Sequence, residues 1–247
     1  ISLNLEHLID NKILMYAAEN NLIDILEFYD EKKQYVMTFM LPEMVLVASI
    51  NRHISVLNFL LEHEYAIKCD TKIISAVSAK GYVSVLQWFK NSGINFIYDN
   101  TAISSAAKNG HVVILEWFKT SGFEFKCCKN ILSIAAKYEQ IDVLEWLKNS
   151  GFQIQFDDDD SGDSDSNYIR NLKMMSKIKN HESNKNIIND AINNGHVSVI
   201  DWFKNSGLKF EYSKIAFNNA IGNANFGVLI WFKNSDLKLK YSDKGIR

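Results

Sequence analysis

Residues 112–122 read Val-Val-Ile-Leu-Glu-Trp-Phe-Lys-Thr-Ser-Gly, and variants of this stretch recur along the 247-residue chain. All five tryptophans lie in such variants, separated by 29, 29, 56 and 29 residues. A fixed period of this size predicts a stack of structural repeats, each of which buries its apolar face against its neighbours. The tryptophans are Trp88, Trp117, Trp146, Trp202 and Trp231.

Alignment on the aliphatic residue two positions before each tryptophan gives seven sequence repeats. Apolar residues stand three and one positions before this anchor and two or three positions after it, which predicts a helix of about ten residues that is buried on most sides. A lysine in the last turn and a following glycine suit the end of such a helix. We expect the indoles to pack in the core rather than to form a base-stacking platform. The anchors are Leu26, Leu57, Leu86, Leu115, Leu144, Ile200 and Leu229.

A shorter helix is predicted before each of these helices. Its residue nine positions before the anchor is small in every repeat, which allows two helices to approach closely: Ala17, Ala48, Val77, Ala106, Ala135, Ala191 and Ala220. Gly81, Gly110 and Gly195 lie in the predicted turns between the two helices. Such a turn needs a residue with a positive φ, which glycine adopts at little cost. Arg52, Glu139 and Ala224 replace this glycine in three other repeats, so the evidence for those turns is weaker.

An alternating stretch follows each long helix and predicts a short extended connector that packs on the next repeat. Ten residues after the anchor, every repeat has an apolar residue: Val36, Ile67, Phe96, Phe125, Ile154, Phe210 and Leu239. The sequence therefore predicts an all-α fold, an α-solenoid of seven helix-turn-helix repeats with short extended connectors.

One insertion interrupts the predicted array. We assign repeats one to five to residues 1–156, an insertion to residues 157–183, and repeats six and seven with the start of an eighth to residues 184–247, all in one continuous solenoid. The first part of the insertion holds six Asp in residues 157–165 and predicts a disordered loop, followed by a segment of helical spacing. An EF-hand is disfavoured, because its twelfth position would be Tyr168 instead of Glu.

The repeat resembles the ankyrin repeat. The resemblance rests on Ala106-Ala107, Gly110-His111, Ile114-Leu115 and Gly122, and on the matching residues Ala191, Gly195-His196, Val199-Ile200 and Gly207. The period of 29 is shorter than the usual ~33, and Thr101-Ala-Ile-Ser104 replaces the usual Thr-Pro-Leu-His opening. Short repeats with Gly-His-Val and Trp-Phe-Lys-x-Ser-Gly are similar to the ankyrin families of giant DNA viruses of amoebae.

This resemblance implies a scaffold that binds a protein partner, without enzymatic activity or a cofactor. The viral likeness further implies an adaptor that recruits a host protein inside the cell, in the cytoplasm of the host. Contact residues would lie on the connectors and first helices, where tyrosines and charges make good contacts, although simple solvated positions are an equal interpretation. The candidates are Tyr98, Asp99, Lys126, Lys129, Glu211, Tyr212 and Lys214, with Ser104 and Asn189 on the first helices.

An alternative interpretation is a structural protein that assembles with itself. Residues 241–247 begin a further repeat without a polar cap, and a solenoid normally needs such a cap for solubility. We therefore expect further repeats or another chain at the C-terminal end.

Other site classes lack support in the sequence. The net charge of −2 argues against a nucleic-acid partner, and no apolar stretch is long enough for a membrane span. Cys69, Cys127 and Cys128 are too few for a disulfide framework and indicate a reducing compartment. The histidines at positions 53, 111 and 196 share one repeat position, so we expect them to stabilise turns rather than to bind one metal ion. No nucleotide-binding or catalytic motif is present.

Overall fold

The structure is a computed structural model that describes residues 2–126, 128, 130–150 and 181–237. Lys129, Cys127, residues 157–180 of the predicted insertion and the start of an eighth repeat lie outside the described residues. The chain divides into two compact units. Unit 1 comprises residues 1–106 and 113–126, and unit 2 comprises residues 107–112 and 127–247.

Every regular element among the described residues is an α-helix, so the all-α prediction is confirmed for them. The helices of the first half of the sequence are α1 (Ser2–Glu19), α2 (Ile23–Ile50), α3 (Ile54–Glu62), α4 (Thr71–Lys80), α5 (Val83–Asn91), α6 (Asn100–Lys108) and α7 (Val112–Thr120). Those of the second half are α8 (Ile131–Lys137), α9 (Ile141–Asn149), α10 (His181–Asn194), α11 (Val197–Asn205), α12 (Lys214–Gly222) and α13 (Phe226–Asn234). Helix α10 thus begins inside the segment that we assigned to the insertion.

The small residues of the first helices are buried in both units. Ala17, Ala48 and Val77 have no exposed surface in unit 1, and the corresponding residues of unit 2 are buried as well: Ala135, Ala191 and Ala220. Their anchors are buried too, with the exception of Leu229, which keeps intermediate exposure. A small side chain at the closest approach of two helices lets the larger apolar residues beside it fill the interior at high density.

All seven turns between the paired helices contain a residue in the left-handed region. Gly81, Gly110 and Gly195 have φ of 75°, 77° and 83°, and the residues that replace glycine elsewhere adopt φ between 53° and 63°. The turn is therefore kept in the repeats that lack the glycine signal. Packing of the two flanking helices imposes it at non-glycine residues, at a cost of about 1 kcal/mol each. Those residues are Asn21, Arg52, Glu139 and Ala224.

The first connector differs from the prediction. Instead of an extended segment around Val36, helix α2 continues from Ile23 to Ile50 with a kink at Lys33, where φ is −143°. No glycine follows the Glu31-Lys32-Lys33 sequence to end the helix. Lys33 instead pairs with the buried carboxylate of Asp10 at 2.8 Å, which also accepts a hydrogen bond from the hydroxyl of Tyr29. Burial and this contact raise the pKa of Tyr29 to about 12.

Candidate protein-binding surface

The indole N–H groups form hydrogen bonds from one sequence repeat to the preceding one. In unit 1, Trp88 donates to Oδ1 of Asn58 at 2.6 Å and Trp117 to Oε1 of Gln87 at 2.9 Å. In unit 2, Trp202 donates to Oε2 of Glu145 at 2.9 Å and Trp231 to Oδ1 of Asp201 at 3.0 Å. Each acceptor stands one position after the anchor, so the same pair of repeat positions is joined every time. We call these bonds the tryptophan ladder.

The indoles lie at the border of the core rather than wholly within it. Trp117 and Trp202 are buried, but Trp88, Trp146 and Trp231 keep intermediate exposure. The residue that follows the tryptophan is more deeply buried than the indole. Phe89, Phe118 and Phe203 have no exposed surface. A ring with one polar atom suits such a border, because the N–H can reach an acceptor while the ring remains packed. Core packing thus describes Trp117 and Trp202, whereas Trp88, Trp146 and Trp231 are only partly buried.

The hydrogen bond lowers the pKa of Glu145. The indole of Trp202 is the main cause, followed by the side-chain amide of Asn149 and the charge of Lys148. A donor that bonds the charged form of a carboxylate favours that form.

The residue that precedes the second helix makes a second contact between repeats at His53, His196 and Asn225. In unit 1, Nε2 of His53 lies 2.8 Å from the backbone oxygen of Glu19 at the end of α1. In unit 2, the amide of Asn225 donates to the backbone oxygen of Asn193 at 2.8 Å, and Nδ1 of His196 lies 2.9 Å from Oε1 of Glu139. His53 and Asn225 thus reach carbonyl groups at helix ends, which lack partners inside their own helix. Among the described residues, no three His, Cys, Asp or Glu side chains converge as metal ligands would.

The connectors of unit 1 run side by side with alternating inward and outward residues. Tyr65, Ile67 and Cys69 point inward, and an isolated parallel bridge joins Cys69 to Phe96 of the next connector. Burial raises the pKa of the Cys69 thiol to about 12, so this thiol is unreactive at neutral pH. The alternation fixes which connector residues can meet a partner.

Tyr98 is one of the inward residues, in contrast to the expectation that it forms contact surface. Its ring is buried 5.1 Å from that of Phe118, and its hydroxyl donates a hydrogen bond to the backbone oxygen of Glu124. Burial, with a smaller contribution from Glu124, raises the pKa of Tyr98 to about 12. The sequence held a signal for this placement, because Tyr98 follows Phe96 by two residues and therefore shares its side of an extended segment.

Tyr212 is likewise buried and not available as a surface contact. Its ring packs 4.9 Å from Phe232 and 6.5 Å from Phe217 in unit 2. It occupies the same repeat position as Tyr98 and Cys69, and it follows Phe210 by two residues. The expectation is wrong at both tyrosines for the same reason: the residue type suits a contact surface, but the position in the alternating connector turns the side chain inward.

Asp99 serves the start of a helix. Its Oδ1 accepts hydrogen bonds from the backbone N–H and from the hydroxyl of Thr101, in the first turn of α6. Asp70 and Ser213 occupy the same repeat position and accept from the backbone N–H of Ile73 and Ala216. Aspartate and serine are preferred at this cap, which was the signal for a structural role.

The remaining candidates differ in their surroundings. Nζ of Lys126 donates to the backbone oxygen of Tyr98 at 3.3 Å and lies 4.7 Å from the centre of its ring. Glu211 pairs with Lys209 at 3.0 Å, and Lys214 is exposed in the first turn of α12. The two first-helix candidates also make internal bonds, since Ser104 donates to the backbone oxygen of Asn100 and Asn189 accepts from the N–H of Ser213.

One repeat position on the connectors of unit 1 is exposed throughout. It holds Lys68, Ile97 and Lys126, which stand 11 residues after their anchors, and we call these three residues the connector row. Ile97 is 48% exposed, although it is a large apolar residue. The structure brings the candidate Tyr98 into contact with Lys126 of this row. Glu211, Tyr212 and Lys214 lie within four consecutive residues of unit 2. The sequence analysis missed Lys68 and Ile97, although the repeat period relates both to Lys126.

None of the described helices has both the length and the hydrophobicity needed to cross a bilayer. The chain matches no model of a known protein family and no curated protein.

Proposed function

We propose that this chain is an α-solenoid of seven short ankyrin-like repeats that acts as a protein-binding scaffold. The tryptophan ladder supports this architecture, because one pair of repeat positions is joined by the same bond in both units. The bond from Trp202 to Glu145 spans 57 positions and supports a repeat interface in which the insertion leaves the register of the repeats intact.

The observation that carries the binding function is the connector row. Lys68 and Ile97 point outward because the alternating connector turns the residues beside them inward, as buried Ile67, Cys69 and Tyr98 show, and Lys126 occupies the same repeat position and is exposed as well. An exposed isoleucine between two lysines combines apolar contact area with charge, and hydrogen bonds hold the connectors beneath it. A preorganised surface loses little conformational entropy on binding, which favours affinity.

The partner class follows from the resemblance. Short ankyrin-like repeats similar to those of giant viruses make a protein of the host cell the first partner to test, with the chain as an adaptor in the host cytoplasm. Protein contact surfaces combine an apolar centre with a polar rim, and neither catalysis nor a cofactor is part of this proposal.

A photo-crosslinking experiment tests the proposal. A photoreactive amino acid at position 97 is expected to crosslink host-lysate proteins, and the variant K68E/K126E is expected to lose those crosslinks. K80E/K119E is the matched control, because it reverses two exposed lysines on helices α4 and α7 outside the row. Equal crosslinking by both charge-reversed variants, or no crosslinked protein at position 97, would exclude the connector row as the binding surface.

A further inference from the structure

One repeat position, 16 residues before the anchor, lies where the first helix of a repeat begins. In three repeats the residue at this position caps the helix, as Asp70, Asp99 and Ser213 do. Their side-chain oxygens accept hydrogen bonds from backbone N–H groups of the first turn, which have no acceptor within the helix itself. Each of these helices starts at the residue that follows its cap.

In three other repeats the helix continues through this position. Helices α1, α2 and α10 extend beyond it towards the N-terminus, and the position holds Asp10, Leu41 and Asn184. All three residues are buried, with 5%, 7% and 4% of their surface exposed. A helix that passes through the position therefore turns its side chain inward, where a polar side chain needs a hydrogen-bond partner.

Asn184 has the side chain of a cap in the surroundings of a continuous helix. The side chain of Leu41 has no polar atom, and Asp10 accepts a hydrogen bond from Tyr29 and pairs with Lys33. Oδ1 of Asn184, by contrast, is buried and has no hydrogen-bond partner in the described part of the chain. A buried acceptor without a partner destabilises the conformation that buries it. The continuous form of α10 thus places Asn184 unfavourably.

We propose that α10 has two alternative starts and that Asn184 selects between them. In the long form, residues 181–183 form the first turn, as in the structure. In the short form these residues leave the helix, and Oδ1 of Asn184 accepts a hydrogen bond from the backbone N–H of Ile187. Asp70 and Ser213 accept from the residue three positions later in the same way. The short form gives up backbone hydrogen bonds of the first turn but satisfies Oδ1, so the two forms compete.

The choice of start assigns residues 181–183 to different parts of the chain. The long form adds them to the repeats, and the short form adds them to the segment that connects α9 with α10. Because an extended residue spans about 3.3 Å and a helical one about 1.5 Å, this segment gains roughly 5 Å of reach in the short form. The device does not involve the connector row, so it and the proposed binding function can fail independently.

Amide hydrogen exchange of the full chain, resolved by NMR, tests the proposal. In the long form the N–H groups of Lys185 and Asn186 donate to the carbonyl groups four residues earlier, in the first turn of the helix. The short form removes these acceptors. The N–H of Ile187 has an acceptor in both forms, so it serves as the internal reference.

Two substitutions of Asn184 should shift the protection factors in opposite directions. N184A removes both the cap and the unpartnered oxygen, so roughly tenfold slower exchange is expected at Lys185 and Asn186. N184D keeps a cap but makes the long form bury a charge, so roughly tenfold faster exchange is expected at the same two amides, with little change at Ile187. N186A is the matched control, because Asn186 is exposed and belongs to the helix in both forms.

Unchanged protection of Ala220 in α12 establishes that a variant of unit 2 remains folded. Equal protection of Lys185 and Asn186 in the wild-type chain, N184A and N184D would overturn the proposal, as would a shift in the same direction in both variants. If N184D loses protection at Ala220, the comparison of N184A with N186A decides. Slower exchange in N184A alone supports two starts, and equal exchange at Lys185 in these two variants overturns them.

Discussion

Trp202 donates its indole N–H to Glu145 at 2.9 Å, although 57 positions separate them in the sequence. The other ladder bonds in the described residues join positions 30 apart. The extra 27 positions equal the length of the insertion assigned to residues 157–183. The contact between α9 and α11 therefore has the ladder geometry of two repeats that follow each other directly.

This bond should contribute measurably to the stability of unit 2. Replacement of Trp202 by Phe or of Glu145 by Ala should lower the free energy of unfolding, because each change removes one partner of the hydrogen bond. The double variant should lose less than the sum of the single variants, which urea denaturation can measure as a coupling energy. Strict additivity of the two changes would show that the bond contributes nothing.

The stability of unit 2 should fall in acid through Glu145. Its pKa is lowered in the folded state, so the carboxylate stabilises the fold above its unfolded pKa, near 4.5, and this contribution is lost as the pH falls through the folded pKa. Glu145→Gln retains an acceptor for Trp202, as Gln87 does for Trp117, but cannot titrate. Melting temperatures measured from pH 7 down to pH 3 should therefore fall less for this variant than for the wild-type chain. Parallel curves would contradict the assignment.

Removal of residues 157–183 should leave the ladder intact. The deletion places Phe156 at the repeat position of Tyr98 and Asn184 at that of Asp99, and it restores the period of 29. Because a shorter connection between two packed helices loses less entropy on closure, we expect the free energy of unfolding to stay within roughly 1 kcal/mol of the wild-type value or to rise. Urea denaturation with fluorescence detection of the tryptophans checks this, and a large loss of stability would show that the deleted segment packs on the repeats.

Replacement of Ala224 or Arg52 by glycine at the left-handed turn positions should stabilise the chain by different amounts. Ala224 has φ of 53° and an exposed side chain, so Ala224→Gly should relieve strain and stabilise the chain by about 0.5–1 kcal/mol. Arg52 has φ of 63° but also donates a hydrogen bond to Ser84 at 3.0 Å, so Arg52→Gly should gain less. Thermal denaturation of both variants tests the order, and a larger gain from Arg52→Gly would contradict it.

The buried ring of Tyr98 provides a test of the corrected placement. Tyr98→Phe loses only the hydroxyl bond to the carbonyl of Glu124 and should cost about 1 kcal/mol, whereas Tyr98→Ala leaves a cavity and should cost about 3–5 kcal/mol. Chemical denaturation measures both values. Equal and small effects would indicate a ring that faces solvent.

The amino-acid sequence determined the helices of this protein, because a helix follows from local periodicity, capping and end signals. The repeating apolar positions, the small residues such as Ala106 and the turns at Gly81 and Gly195 could all be read without coordinates. The extended segment predicted at the first connector is replaced by helix for a local reason as well, because residues 31–36 contain no glycine to end the helix.

Only the tertiary structure decided which polar atoms meet and which side chains remain exposed. The acceptors of Trp88, Trp117, Trp202 and Trp231 each lie one repeat away, and the left-handed φ of Arg52, Glu139 and Ala224 is imposed by the helices packed around them. The sequence marks Tyr98 as a suitable contact residue, but its ring fills the space beside Phe118, and the outward position belongs to Ile97. Residue type limits what a side chain can do, whereas burial and hydrogen bonding depend on neighbours that are distant in sequence.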